Sequence, residues 1–142
     1  TAALAAIEAA ELILFAPSNP LLSIEPILAI GGIREALARS AAPRVGVSPL
    51  IGGKAVKGPL ARLMSDLGLP GGAAGAAARY AGLLDGFTVD AGDANDARAL
   101  EREGLRVSST DILMRDPADA ERLAREVLAF AGTIRASQKG PE

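Results

Sequence analysis

Leu12-Ile13-Leu14-Phe15-Ala16-Pro17-Ser18-Asn19-Pro20-Leu21-Leu22-Ser23-Ile24-Glu25-Pro26-Ile27-Leu28 runs from a short apolar segment through a proline-bounded turn into a helix start. Leu12–Phe15 reads as a strand ended by Pro17 and the Ser18-Asn19-Pro20 turn. The helix that follows spans about Ile24 to Arg39, with Pro26 tolerated because first-turn amides have no intrahelical partner. The same alternation recurs outward in both directions. Ala2–Ala10 is an alanine-rich helix ahead of the strand, so the sequence reads as beginning mid-architecture. Arg44–Ser48 forms a second strand, with Val45 and Val47 suited to a buried pleat. A glycine-rich loop covers Pro49–Pro59, followed by a helix whose Leu60, Leu63, Met64 and Leu67 share one face until Gly68 stops it. Residues 71–84 read as a close-packed helix, Phe87–Val89 as a third strand, Ala94–Glu103 as a helix capped by Gly104, and Leu105–Val107 as the start of a fourth strand.

The last helix has the fullest set of signals. Asp116 can cap it, Pro117 fits its first position, and Asp119 suits its positive end. Ala120, Leu123, Ala124, Val127, Leu128, Ala131 and Ile134 follow a helical period and predict a stripe packed on a sheet. Strands alternating with amphipathic helices indicate an α/β fold: an open, mainly parallel, Rossmann-like sheet with flanking helices. One domain is expected over 1–137, with 138–142 as a disordered tail.

The chain has 142 residues, 49% hydrophobic and 23% charged, with 15 basic against 17 acidic side chains. The net charge of −2, with Lys and Arg dispersed, lacks the basic footprint of a nucleic-acid binder. Without Cys or His, thiol nucleophiles, Ser-His or Cys-His catalysis, and zinc sites with imidazole or thiolate ligands are excluded within the chain. The apolar stretch around Leu21–Ile33 is broken by Ser23, Glu25 and Pro26, so no membrane span is expected, and the protein reads as cytosolic.

Three segments can carry chemistry. In the first, Ser18, Asn19, Pro20 and Ser23 sit where a strand gives way to a helix, the place where open parallel sheets bind anions; the same residues also make an ordinary turn with Ser23 as a helix cap. In the second, Gly52, Gly53 and Gly58 permit backbone approach to an anion and Lys54 and Lys57 supply charge, unless this is only a solvated surface loop. It is not a Walker A loop, because Ser48 stands where that pattern needs its first glycine and Ala55 where it needs a metal-binding hydroxyl. The third comprises Asp85, Asp90 and Asp93, with Thr110 and Asp111, which suit Mg²⁺, a ribose or a phosphate but more often serve as turn formers and helix caps.

The wording of Ala16–Leu28 with Gly32-Ile33-Arg34-Glu35, of Val47–Pro59, of Tyr80–Asp90 and of Thr110–Met114 resembles the 2-phospho-L-lactate transferases of deazaflavin (coenzyme F-420) biosynthesis, over nearly the whole chain. The resemblance implies transfer of a phospholactyl or phosphoenolpyruvyl group from a guanosine-diphosphate-linked donor to the deazaflavin alcohol Fo, with Mg²⁺. It implies a family member about twice this length, of which this chain is the second half of a larger domain. The earlier family segments, with acidic residues associated with metal and deazaflavin binding, have no counterpart here. Metal ligands and any general base are therefore expected upstream of Thr1, no catalytic residue is assigned here, and the chain alone is expected to be inactive. With such a donor, the two anion-binding loops are expected to bind it through Ser18, Asn19, Pro20, Ser23, Gly52, Gly53, Lys54, Lys57 and Gly58. The family often has Pro where Gly31 stands, and Gly71–Ala78 is richer in Gly and Ala than usual. A related group of nucleotide-binding regulators of cell-wall metabolism and gluconeogenesis carries Pro-Gly-Ser in the first loop, which makes a non-catalytic nucleotide-binding module the alternative. A homodimer is the assembly to test.

Overall fold

The computed structural model describes residues 1–138 and 140. Helix α1 (Ala2–Glu8) is capped by Thr1, whose Oγ1 accepts the Leu4 N–H at 3.4 Å, and leads into strand β1 (Ile13–Phe15). A π-helical turn (Pro20–Ile24), α2 (Glu25–Leu28) and α3 (Ile33–Arg39) lead to β2 (Arg44–Val47). Then come a hairpin of β3 (Leu50–Ile51) and β4 (Lys54–Ala55), helices α4 (Leu60–Asp66) and α5 (Gly72–Ala78), strand β5 (Gly86–Asp90), helix α6 (Ala94–Arg102), strand β6 (Arg106–Thr110) and helix α7 (Pro117–Gln138). The four long strands are parallel in the order β1-β2-β5-β6, which confirms the open parallel sheet with flanking helices.

Because the strands are ordered as they occur in the chain and crossovers are right-handed, the crossover helices share one face of the sheet. Phe15, Phe87 and Val89 point to that face and pack with Leu37, Ala77, Tyr80 and Leu100. Tyr80 lies edge-on to Phe15, with ring centroids 5.2 Å apart, and its burial, with Glu25 nearby, pushes the phenol pKa up to about 12. On the opposite face Val45 and Val47 meet Leu123, Val127, Ala131 and Ile134 of α7. Gly86 is bare there for a steric reason: a Cβ would stand 2.6 Å from Ile134 Cδ1 and 2.8 Å from Phe130. The expected α7 stripe thus packs on the sheet at Leu123, Val127, Ala131 and Ile134, whereas Leu128 is 55% exposed and Ala124 is exposed.

Several boundaries differ from the sequence reading. The single helix over Ile24–Arg39 is instead three pieces. Pro26 has no N–H for the Leu22 carbonyl, and the preceding turn takes the wider register, with Ile24 and Glu25 donating to Asn19 and Pro20. Gly32, at φ +86°, then reverses the chain before α3, a conformation that L side chains rarely adopt. Residues 71–84 are helical only as far as Ala78, after which Tyr80, Ala81 and Leu83 donate to carbonyls three residues back. The loop over Pro49–Pro59 contains the β3–β4 hairpin. Helix α7 includes Gln138, the first residue of the expected tail, while Lys139, Pro141 and Glu142 lie outside the described residues.

Thr88 is 1% exposed and its hydroxyl has no hydrogen-bond partner among the described residues. Thr88→Val replaces that hydroxyl with a methyl of similar shape and should stabilise the fold by about 1 kcal/mol. A denaturant midpoint that falls instead would show that the hydroxyl is satisfied in solution.

Candidate functional site

The parallel arrangement brings the ends of β1, β2 and β6 to one edge of the sheet, where a cavity of about 290 Å³ opens. Pro17 and Asn19 line it from the segment after β1. Ser48, Pro49, Ile51, Ala55, Val56 and Lys57 form a second wall after β2, and Ile112, Leu113 and Met114 a third after β6. The walls are mostly apolar, and Asn19, Ser48 and Lys57 are the polar residues among them.

Asn19 is fixed by the helix it starts. Its Oδ1 accepts the N–H groups of Leu21 and Leu22 at 3.0 and 3.1 Å, so it and not Ser23 is the cap. With the oxygen committed, the Nδ2 group is held in a set direction and donates to no other group among the described residues. Pro20 is buried as the first residue of the turn, Ser18 is half-buried, and Ser23 is exposed and away from the cavity lining. Ser48 is 1% exposed, and its Oγ both donates to the Leu50 carbonyl at 2.9 Å and accepts the Leu50 N–H at 3.1 Å. Its role is to join β2 to the hairpin.

Gly52 and Gly53 occupy the hairpin turn with φ of +58° and +73°, the pair of left-handed conformations that a two-residue turn requires. The turn sets Lys54 on β4, exposed and outside the cavity lining, and leaves Lys57 as the loop's cation at the cavity. Gly58, also at positive φ, precedes α4. Of the nine residues expected to bind donor, the structure therefore puts Asn19 and Lys57 on the lining and distributes the others around it.

The carboxylates do not form one cluster. Asp85, just before β5, pairs with Arg44 at 2.9 Å, a whole strand length from Asp90 and Asp93. Hydrogen bonding to Asp85 raises the Arg44 pKa. Thr110 donates to Glu126 at 2.5 Å, and Asp111 pairs with Arg115 at 2.8 Å, which lowers its pKa. Among the described residues, no group of three or more acidic side chains converges in a way that could hold a metal ion. Among the described residues, Asp85 and Asp111 are engaged by arginines, and Asp90 and Asp93 by backbone N–H groups.

Two features escaped the sequence reading. Leu50-Ile51 and Lys54-Ala55 flank a Gly-Gly pair, a recognised hairpin signal that is short enough to pass as a loop. The wall Ile112–Met114 carries no polar motif and was findable only through topology, as another segment beyond a strand's C-terminal end.

A parallel sheet with a cavity at the C-terminal ends of its strands, walled by strand-to-helix loops, defines a Rossmann-like layer, with the cavity where open α/β sheets bind ligands. The family model for 2-phospho-L-lactate transferase CofD matches residues 1–129, and the chain belongs to that family. It is 40% identical over 134 residues to a phosphoenolpyruvate transferase of Streptomyces griseus, covering 94% of this chain and 42% of that protein. A 2-phospho-L-lactate transferase of Methanosarcina acetivorans is 39% identical over 131 residues, covering 92% and 42%. A phosphoenolpyruvate transferase of Mycobacterium tuberculosis is 38% identical over 139 residues, covering 94% and 40%. The chain thus spans about two-fifths of the length of these relatives. No helix among the described residues is long and apolar enough to cross a membrane.

Proposed function

We propose that the complete enzyme transfers a phospholactyl or phosphoenolpyruvyl group from a guanosine-diphosphate-linked donor to the hydroxyl of the deazaflavin Fo, and that the cavity described above takes part in holding the donor. The observation that carries this reading is that Asn19, whose side-chain oxygen caps the turn it starts, and the cationic residue Lys57 both line the strand-end cavity. In the reaction the acceptor oxygen bonds to the phosphorus bearing the three-carbon group, the bond from that phosphorus to GMP breaks, and the hydroxyl proton leaves. Such a transfer needs alignment and charge neutralisation more than a protein nucleophile, which suits a chain without His or Cys. Here Asn19 Nδ2 would donate to a phosphate oxygen, Lys57 would offset diphosphate charge, and Ile51, Val56 and Met114 would exclude water. Mg²⁺, in this proposal, is carried by residues other than those described here.

Asn19→Asp tests the arrangement, since it keeps the capping oxygen while replacing the amide donor with a charge that repels phosphate. GDP affinity of the complete protein should fall by about 1 to 3 kcal/mol while thermal stability stays nearly constant. Unchanged affinity in calorimetry would reduce Asn19 to a helix cap. Deazaflavin-dependent turnover separates the transferase from a non-catalytic nucleotide-binding module.

A further inference from the structure

Three carboxylates recur at intervals of three residues where β5 passes into α6, and each reaches a different part of the chain. Asp90 Oδ1 accepts the Gly92 N–H at 2.9 Å, while its Oδ2 stands 3.5 Å from the Ile112 nitrogen. Asp96 Oδ2 accepts the Ala73 and Ala74 N–H groups at 2.6 and 3.3 Å, closing the start of α5. Asp93 reaches the hairpin: its two oxygens lie 3.0 and 3.2 Å from the Gly52 nitrogen.

The Asp93 contact is the unusual one. Gly52 is the first turn residue of a two-residue hairpin, where its N–H has no ladder partner and would ordinarily face water. Here it donates to a carboxylate only 9% exposed and 41 residues distant in sequence. Burial raises the Asp93 pKa against the lowering effect of the Gly52 hydrogen bond, and Asp96 and Asp90 raise it further. A charged group so placed is held at a cost in solvation, which the hydrogen bond offsets. No residue of the described chain makes another such long-range link to the hairpin turn.

We infer that Asp93 is a positioning residue: it anchors the Gly52-Gly53 turn to the β5–α6 junction and so fixes the hairpin wall, with Ile51 and Lys57, against the cavity. Asp93 itself is absent from the cavity lining and acts through the hairpin. That the cavity binds the donor rests on the proposed function; the anchoring of the turn does not.

The test compares Asp93→Ala and Asp93→Asn in the complete protein, with amide exchange at Gly52 and with GDP and donor kinetics as readouts. Asp93→Ala should speed exchange at Gly52 by about tenfold or more and raise the GDP Kd and donor KM by about tenfold, with kcat changed far less. Asp93→Asn keeps an acceptor oxygen and should recover most of both effects. Unchanged Gly52 exchange in Asp93→Ala overturns the anchor. Faster exchange with GDP affinity and KM unaltered, in a protein whose GDP binding Lys57→Ala does weaken, overturns the positioning role. If the wild-type protein binds no GDP, the donor site is wrong and the exchange result alone decides the anchor. Should Asp93→Ala not fold, wild-type Gly52 must still exchange more slowly than Gly53 and Asp93→Asn must exchange near the wild-type rate; failure of either overturns the inference.

Discussion

A polypeptide limited to Thr1–Glu142, given deazaflavin acceptor, guanylated donor and Mg²⁺, should form product at least about 10⁵-fold more slowly than the complete enzyme. The size of the loss follows from what phosphoryl transfer requires. Most of its rate comes from aligning two substrates and neutralising charge on the transferred group. Among the described residues, the strand-end cavity has a single lining cation, and no group of three or more acidic side chains converges as metal ligands. Asp90, Asp93 and Asp96 accept backbone N–H groups, and Asp111 is paired with Arg115. Mass spectrometry of the phosphodiester product decides the matter. A rate close to that of the complete enzyme would place the full catalytic apparatus within these residues and overturn the division of roles proposed here.

Gly75→Ala should destabilise the fold by about 3 kcal/mol, the upper end of the cost of overpacking a core. Gly75 lies in α5 among the buried Ala73, Ala76 and Ala77. A Cβ there would overlap the Pro70 carbonyl, 2.5 Å from its carbon, and stand 3.0 Å from Met64 Cε. Met64 can move, but the Pro70 backbone belongs to the turn that aims α5 at the sheet. Gly71→Ala is the control, since a Cβ there has open space, and it should stay within about 0.5 kcal/mol of the parent. The difference between the two denaturant midpoints is the measurement. Equal midpoints would mean that the Pro70 turn yields at little cost.

The elements legible in the sequence are those whose own residues determine them. Helix α7 was readable because its cap and its spaced apolar positions agree, and Asp116 indeed accepts the Asp119 N–H at 2.8 Å. Strands β2 and β5 announced themselves through Val45, Val47, Phe87 and Val89. The break after α2 was less legible, because one turn of good helical composition ended on Gly31-Gly32, and Leu4, which a Cβ on Gly32 would meet at 3.6 Å, lies outside any local window. The candidate site was legible as loops and not as a lining. Residue type picked out glycines and lysines, whereas hairpin geometry decided that Lys57 and not Lys54 borders the cavity. The aspartates carried two readings, a cation site or turns and caps, and the structure follows the second: Asp90 accepts the nearby Gly92 N–H as a turn residue does, whereas the Gly52 partner of Asp93 is identifiable only once distant segments are in place.

The sequential strand order also bears on how the chain assembles. Each new strand is added at the same growing edge, beside its immediate predecessor, so no strand must wait for a later one in order to insert between neighbours. Loop closure at every step spans one crossover, which keeps its entropic cost modest. The exception is α7, which must return across the far face to reach the segment before β1, where Arg135 donates to the Glu11 carbonyl over a separation of 124 residues. These four strands can therefore pair progressively as the polypeptide emerges from the ribosome, while the face that α7 covers stays open until that helix has been made.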